Sequence, residues 1–324
     1  MTLYTNLDGT TPDKTLSDLL KWQVGDRLSG RTRSADGASA RFVTPRRPND
    51  GSSLRSLAPH LTWIGHASFV QRLGGKLIAT DPIWCERLGL RRRLAQPGVL
   101  MADLPPVDVV TVSHSHFDHL DLPTLRDLAI HSTRAGAEPP LYIVPRDVGE
   151  LLRDAGLTRV VELDWWQTHD VGGVRITLVP AQHWSMRMPW DRNKRLWGGF
   201  VYESAEGTTY HSGDTALSEA VFRAIHDRCP PIDWAMLPIG AYEPRWFMRS
   251  QHMNPDDAGK AFEWLGAKTF CAMHWGTFKL TDEPTGEPPE KIRAYWAEHG
   301  VAAERLWVLD IGETRRLVKT PAST

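Results

Sequence analysis

An α/β fold is predicted by three features of the 324 residues. From Leu61 onward, short apolar runs that read as strands alternate with stretches that carry helix start and stop signals. Histidines and aspartates collect where those strands end. They are spread from His114 to His274, so a site assembled from them needs one intertwined unit and not two domains. Residues 1–58 read as an N-terminal arm, partly extended, and residues 59–324 as the body that carries the site.

The arm contains one helix near Lys14–Trp22, then Gly, Ser, Arg and Asp clusters at Ser34-Ala35-Asp36-Gly37 and Arg46–Gly51, which mark chain wrapped on the body or partly mobile. Leu61–Ile64 and Leu77–Ala79 are apolar strands that run out at His66 and Asp81. Val109-Val110-Thr111-Val112 is a buried strand leading into His114-Ser115-His116-Phe117-Asp118-His119. Arg146–Ala155 reads as a helix stopped by Gly156. Val174–Val179 alternates like a half-buried strand and enters Pro180-Ala181-Gln182-His183-Trp184. A short strand from Thr208 ends at Gly213 and Asp214, and Ser218–Arg228 is a helix. Asn254-Pro255-Asp256-Asp257 opens another helix with a capping residue, a proline at its first position and early acids; Gly266 ends it. Lys268–Met273 is a strand with His274 at its exit, and Pro289–Glu298 is a last helix stopped by Gly300. There is no internal repeat or low-complexity tract.

The cluster from His114 to His119 is the most informative stretch. Three imidazoles and a carboxylate within six positions are costly for a structural loop, and become sensible if two cations are held side by side. In extended chain, residues i and i+2 point the same way, so His114 and His116 can share one ion. Asp118 and His119, past the turn, can address a second. Neither site is complete, because zinc takes about four ligands. His183, Asp214 and His274, each weak alone at a strand end, fill the vacancies together. Imidazole and carboxylate without cysteine suit zinc at an open site, and iron or manganese is also compatible.

The series HxHxDH, His, Asp, His resembles the metallo-β-lactamase superfamily, which implies a four-layer αβ/βα sandwich. Trp63-Ile64-Gly65-His66-Ala67-Ser68 and Thr80-Asp81-Pro82-Ile83 resemble the branch with ascorbate-phosphate lactonases and phospholipase D-like enzymes. Leu163–Trp166, Gln182-His183-Trp184, Ser212–Thr215, Pro238–Met248, Gln251-His252, His274–Phe278 and Glu287-Pro288-Pro289 are similar to N-acyl-phosphatidylethanolamine-hydrolysing phospholipases D and their bacterial relatives. The likeness runs from about Leu61 to Glu313. Carried over by position, it implies that His114, His116 and His183 hold a first zinc and Asp118, His119 and His274 a second, with Asp214 and a water or hydroxide bridging them. It further implies hydrolysis at phosphorus, with phosphatidate and an N-acylethanolamine as products, and Asp118, Asp214 and His252 as the catalytic set. The ions would lower the pKa of the bound water towards ~7 and neutralise phosphodiester charge. His66 and Asp81 are expected behind the ligands, Asp81 as partner of a metal-bound histidine or as a turn-capping aspartate. His252 faces substrate or the surface; Tyr242 and Glu243 contact substrate or only stiffen a turn. Phe117 stands where the lipid-cleaving relatives carry tyrosine, and is expected to pack beneath the ligands; with Trp184, Tyr242 and Glu243 it completes the substrate-binding set. A lactonase on the same scaffold, and a metal-holding module that binds lipid or a small molecule, are the competing readings.

The chain has 14 tryptophans. Trp190 and Met186–Met188 fit either an acyl-chain lining or a loop packed on its own sheet. His60, His131, His169, His211, His226 and His299 lack ligand spacing and read as structural or solvated. A net charge of −1 gives no case for a nucleic-acid partner. Arg91-Arg92-Arg93 reads as a solvated run with the alternative of touching anionic headgroups. The three cysteines, Cys85, Cys229 and Cys271, fit free thiols in a reducing compartment. No signal peptide and no ~20-residue apolar span is visible. The expectation is a cytoplasmic protein, peripheral to the inner membrane face if its substrate is a phospholipid, and pairing as a homodimer is compatible with the family.

Overall fold

The computed structural model describes residues 3–12, 16–26 and 42–319. One seven-stranded sheet contains His60–Gly65 (β1), Ser68–Leu73 (β2), Lys76–Thr80 (β3), Val109–Thr111 (β6), Leu141–Pro145 (β7), Val160–Leu163 (β8) and Thr314–Arg316 (β16), in the order β16-β1-β2-β3-β6-β7-β8. The other contains Thr168–Asp170 (β9), Arg175–Val179 (β10), Gly199–Ser204 (β11), Gly207–His211 (β12), Trp234–Pro238 (β13), Thr269–Met273 (β14) and Leu306–Trp307 (β15), ordered β15-β14-β13-β12-β11-β10-β9. Arg87–Leu88 (β4) and Arg91–Arg92 (β5) form a separate hairpin.

Strand periodicity separates the layers. Ile78, Val109 and Ile143 join the hydrophobic cluster shared with the second sheet. Their neighbours Leu77, Ala79, Val110, Tyr142 and Val144 join a cluster with Leu125, Leu128 and Leu152 of the helices Leu122–Arg134 and Gly149–Asp154. Alternate residues therefore bury both faces, which is why these strands read as unbroken apolar runs. On the second sheet, Phe270 packs 5.7 Å from Phe262 and 5.1 Å from Trp296, covered by the helices Pro255–Leu265 and Glu287–Glu298. Helix, sheet, sheet and helix make the four-layer αβ/βα sandwich.

The helix at Asn254 forms as its sequence dictates: Asn254 Oδ1 accepts from Asp257 N at 2.8 Å, Asp257 reciprocates, and Gly266 closes the helix at φ 66°. Two boundaries differ. The helix expected from Arg146 begins at Gly149, because Asp147 is left-handed at φ 65° and Arg146 turns out to bond Asp164. The last helix starts at Glu287, two residues early. In the arm, Leu16–Leu20 is helical and continues as a wide π-type turn over Lys21–Asp26. Arg47 N donates to Ile311 O and Asn49 Nδ2 to Gly312 O, both at 2.8 Å, so Arg46–Gly51 is wrapped on the body. Ser34–Gly37 lies outside the described residues.

β3, β6, β7 and β8 are mutually parallel, as are β12, β13, β14 and β15. Their carboxyl ends therefore gather at shared edges, where open α/β sheets build their sites. Asp81, the loop from His114, Asp214 and His274 all follow such ends, and His183 follows β10, which points the same way as β12.

Candidate metal centre

Asp81 leaves β3 with φ 42°, next to the end of β6, and its N–H donates to Thr111 O at 2.9 Å. Its carboxylate is fully buried. Oδ1 accepts from Ser113 N at 2.6 Å, and Oδ2 accepts from Ser113 Oγ at 2.6 Å and His119 Nδ1 at 2.7 Å. One side chain thus fixes the start and finish of the loop and leaves His119 Nε2 facing inward. Opposite, Gly213 (φ 59°) lets the Asp214 turn approach; a Cβ there would lie 2.6 Å from Ser113 Cβ. Asp214 is held between the sheets by this close contact.

Two clusters result. His114 Nε2 lies 2.8 Å, and His183 Nε2 3.2 Å, from His116 Nδ1. His183 is oriented by donating Nδ1–H to Gln251 O at 2.9 Å. In the second cluster Asp118 Oδ2 is 3.8 Å from His119 Nε2 and 3.6 Å from His274 Nε2. Asp214 stands between: Oδ2 is 3.2 Å from His119 Nε2 and 3.9 Å from His183 Nε2, and Oδ1 is 3.1 Å from His274 Nε2. All seven predicted side chains face one space. His116 Nε2, His119 Nε2, both His274 ring nitrogens and Asp214 Oδ1 are buried without a partner in hydrogen-bonding geometry among the described residues. Buried orphan donors and acceptors are costly, and metal binding is chemistry that such a His/Asp set could supply.

The electrostatics agree. Burial, reinforced by neighbouring imidazoles, pushes His116 down to about 3 and His114 well below the usual histidine range. Burial also takes His183 to about 4 against the pull of Asp214. Burial lowers His274 too, yet Asp214 and Asp118 outweigh it and raise the ring to about 9; His119 is raised by Asp214, Asp118 and Asp81 in the same way. Asp118 and Asp214 stay ionised despite burial because imidazoles surround them. Neutral imidazoles face one another on one side, and carboxylates sit among them, as metal binding requires.

A cavity of about 590 Å³ opens over the two clusters. His116, Asp118, Asp214, His252 and Trp184 line it. His66, fully buried, approaches Asp118 Oδ2 at 3.1 Å through Nε2. Phe117 requires correction: it is 56% exposed at the cavity mouth with Arg187 4.1 Å over its ring, because the loop turns it outward. Tyr242 and Glu243 do not line this cavity, which fits the turn-stiffening alternative. Tyr242 is buried and donates to Glu287 Oε1 at 2.7 Å, and Glu243 accepts from Arg245 N at 3.0 Å; both brace the turn whose Ala241 does face the cavity. Trp190 is 67% exposed and outside the lining, whereas Met186 is within it.

Sequence reasoning missed Leu19 and Trp22, which wall the cavity from the arm, with the Trp22 ring tilted against Phe247 at 5.0 Å and its Nε1–H donating to Asp282 at 2.5 Å. Their helical spacing was visible, but nothing local tied that face to a site more than 90 residues on. Arg91-Arg92-Arg93 is not one solvated run. Arg93 is buried and donates to Ile83 O and Ile64 O, Arg91 donates to Lys279 O and Leu280 O, and only Arg92 is exposed. His60, His131, His211, His226 and His299 each bond a backbone carbonyl, as structural histidines do.

Comparison with known proteins fits this architecture. The family described as "Beta-lactamase superfamily domain" matches residues 77–275. The chain is 34% identical over 248 residues to N-acyl-phosphatidylethanolamine-hydrolyzing phospholipase D 1 of Caenorhabditis elegans, covering 72% of this chain and 68% of that protein. It is 36% identical over 305 residues to an uncharacterised protein of Mycobacterium tuberculosis, covering 90% of this chain and 77% of the relative. The solved isothiocyanate hydrolase from Delia radicum gut bacteria shares the fold, with a TM-score of 0.61 at 22% identity over 80% of this chain and 99% of that one. With its clustered histidines and aspartates, the chain belongs to the metallo-β-lactamase superfamily of metal-dependent hydrolases, in the branch of the N-acyl-phosphatidylethanolamine-hydrolysing phospholipases D.

Proposed function

We propose that the chain is a two-metal phosphodiesterase of phospholipase D type, acting on N-acyl-phosphatidylethanolamine or a closely related phosphodiester. The observation that carries this reading is a carboxylate, Asp214, shared by two ligand clusters at the floor of a largely apolar cavity. His114, His116 and His183 would hold one ion and Asp118, His119 and His274 the other, with Asp214 between; zinc suits this donor set, and iron or manganese is also compatible. When bound, such a pair supplies a water activated at neutral pH and neutralises charge on a phosphodiester. The chain does the rest. Leu19, Trp22, Phe247 and Met248 offer apolar wall for acyl chains. Arg187 lines the same cavity, and its guanidinium donates to Ser115 O and Leu120 O, holding positive charge against the metal loop. His252, whose Nδ1 is 3.8 Å from Asp214 Oδ2, is placed to hydrogen-bond the phosphate or the departing oxygen. His66 and Asp81 act behind the ligands, orienting Asp118 and His119. Water attacks phosphorus, the bond from phosphorus to the ethanolamine oxygen breaks, that oxygen takes a proton, and phosphatidate remains.

The deciding experiment presents metal-replete protein with N-acylated phosphatidylethanolamine, bis-p-nitrophenyl phosphate and a phosphorylated lactone. Release of the ethanolamide without lactone opening is expected. Lactone opening alone would replace this reading with the lactonase, and inertness to all three would replace it with a binding module.

No helix among the described residues is long and apolar enough to cross a membrane. Leu90 is nevertheless 98% exposed at the tip of the β4–β5 hairpin, whose Leu88, Gly89 and Arg91 line the cavity, and Trp190 and Leu20 are exposed apolar side chains as well. These side chains would rest in the bilayer interface and bring the cavity to its substrate. Replacing Leu90 and Trp190 together by aspartate should lower turnover on phospholipid vesicles about tenfold, while hydrolysis of bis-p-nitrophenyl phosphate stays within about twofold. Equal loss on both substrates would count against the membrane-facing mouth.

A further inference from the structure

We infer that the start of the arm is a working part of the centre, with Asn6 as the positioning residue for His183. Among the described residues, no strand pairs with the chain leaving β10 through Pro180-Ala181-Gln182-His183. Gln182 N is taken by Thr215 Oγ1 at 3.0 Å, but His183 N donates at 2.9 Å to Asn6 Oδ1, from a residue 177 positions away. Asn6 is 3% exposed, and the same oxygen accepts from Trp197 Nε1 at 3.1 Å. Trp197 also donates to Ala181 O at 3.0 Å, so one buried network grips the residues that precede the ligand.

Asn6 is itself held by a turn suited to the task. Asn6 N donates to Thr10 O and Gly9 N to Asn6 O, both at 2.8 Å, while Asp8 Oδ1 caps the turn by accepting from Thr10 N and Thr10 Oγ1. The Gln182 amide donates outward to Asp8 Oδ2 and Thr10 Oγ1, each at 3.2 Å. Tyr4 N donates to Asn193 O at 2.9 Å, fixing the segment on its other side. His183 is therefore set from two directions: Gln251 O fixes the ring and Asn6 fixes the backbone beneath it. Remote partners of this kind decide whether a ligand nitrogen reaches its ion. The catalytic consequence rests on the two-ion reading above; the clamp itself does not.

Asn6→Leu in the full chain keeps the volume without an acceptor, and Asn6→Asp keeps the acceptor. In metal-free protein, the His183 amide should exchange with solvent about tenfold faster in N6L than in the natural chain, and at close to the natural rate in N6D. On zinc titration N6L should bind one ion as the natural chain does and the other about tenfold more weakly, with kcat reduced and KM nearly unchanged, and N6D should recover both. Natural exchange and natural uptake of both ions in N6L would overturn the inference. If N6L does not fold, Asp8→Ala decides: Asp8 is exposed, and loosening the turn should still speed His183 exchange, whereas an unchanged rate overturns the inference. Because exchange is read without metal, failure of the natural chain to take up two ions sinks the two-ion reading alone.

Discussion

Asp214→Asn should reduce turnover by about 10³-fold or more, equivalent to about 4 kcal/mol of transition-state stabilisation, and bring metal content from about two ions per chain to one or fewer. The side chain is nearly isosteric, so the loss would arise from chemistry. Both carboxylate oxygens are committed, Oδ2 towards His119 and His183 and Oδ1 towards His274. An amide has one acceptor, and its NH₂ would be turned on a ligand nitrogen or into the space meant for a cation. The substitution also removes the charge that, against burial, raises His119 and His274. The backbone is secured independently, since Ser212 N donates to Met236 O and Met253 N to Thr215 O. The metal-free variant should accordingly keep its far-ultraviolet circular dichroism and its denaturation midpoint. Elemental analysis of the purified variant, followed by phosphodiester turnover, reads the prediction. Two ions and natural turnover in D214N would rule out a shared carboxylate.

The candidate ligand set was legible because its chemistry is local: His114, His116, Asp118 and His119 sit in one loop, and His183, Asp214 and His274 each stand where an apolar run stops. Strand exits predict location because parallel strands end together, which turns distance along the chain into proximity. The cavity wall was less legible. Leu19 and Trp22 reach the cavity through the Trp22–Phe247 contact, which no periodicity encodes. Phe117 misled for a related reason. A phenylalanine amid ligands reads as buried, yet the turn that sends His116 and Asp118 inward must send the residue between them outward. Tyr242 and Glu243 belong to a string shared with the family, and such a string can support a site without touching what binds there. The arginine run shows the limit of composition: its three neighbours differ in burial, and carbonyl acceptors supplied by distant loops set those differences.

Asp81→Ala should combine loss of metal with loss of stability, and the two together distinguish it from the substitution at Asp214. Asp81 is fully buried and accepts from Ser113 N, Ser113 Oγ and His119 Nδ1. Removing it leaves those donors facing each other in a dry interior, where each orphaned group costs about 1–3 kcal/mol; the sum expected is about 3–5 kcal/mol of folding stability. Alanine is also a poorer occupant than aspartate of the left-handed backbone at φ 42°. The effect then reaches the centre through His119, which no longer has the partner that selects its tautomer and aims Nε2 at Asp214. Affinity at the second ion should fall about 10–100-fold. Asp81→Asn, which can still accept from Ser113 N, should recover part of the stability but little of the affinity, because its NH₂ cannot receive the His119 proton. Urea denaturation of the metal-free proteins measures the first effect and zinc titration the second. A D81A chain as stable as the natural one, or with its second ion bound as tightly, would mean that the loop is held by something other than this carboxylate.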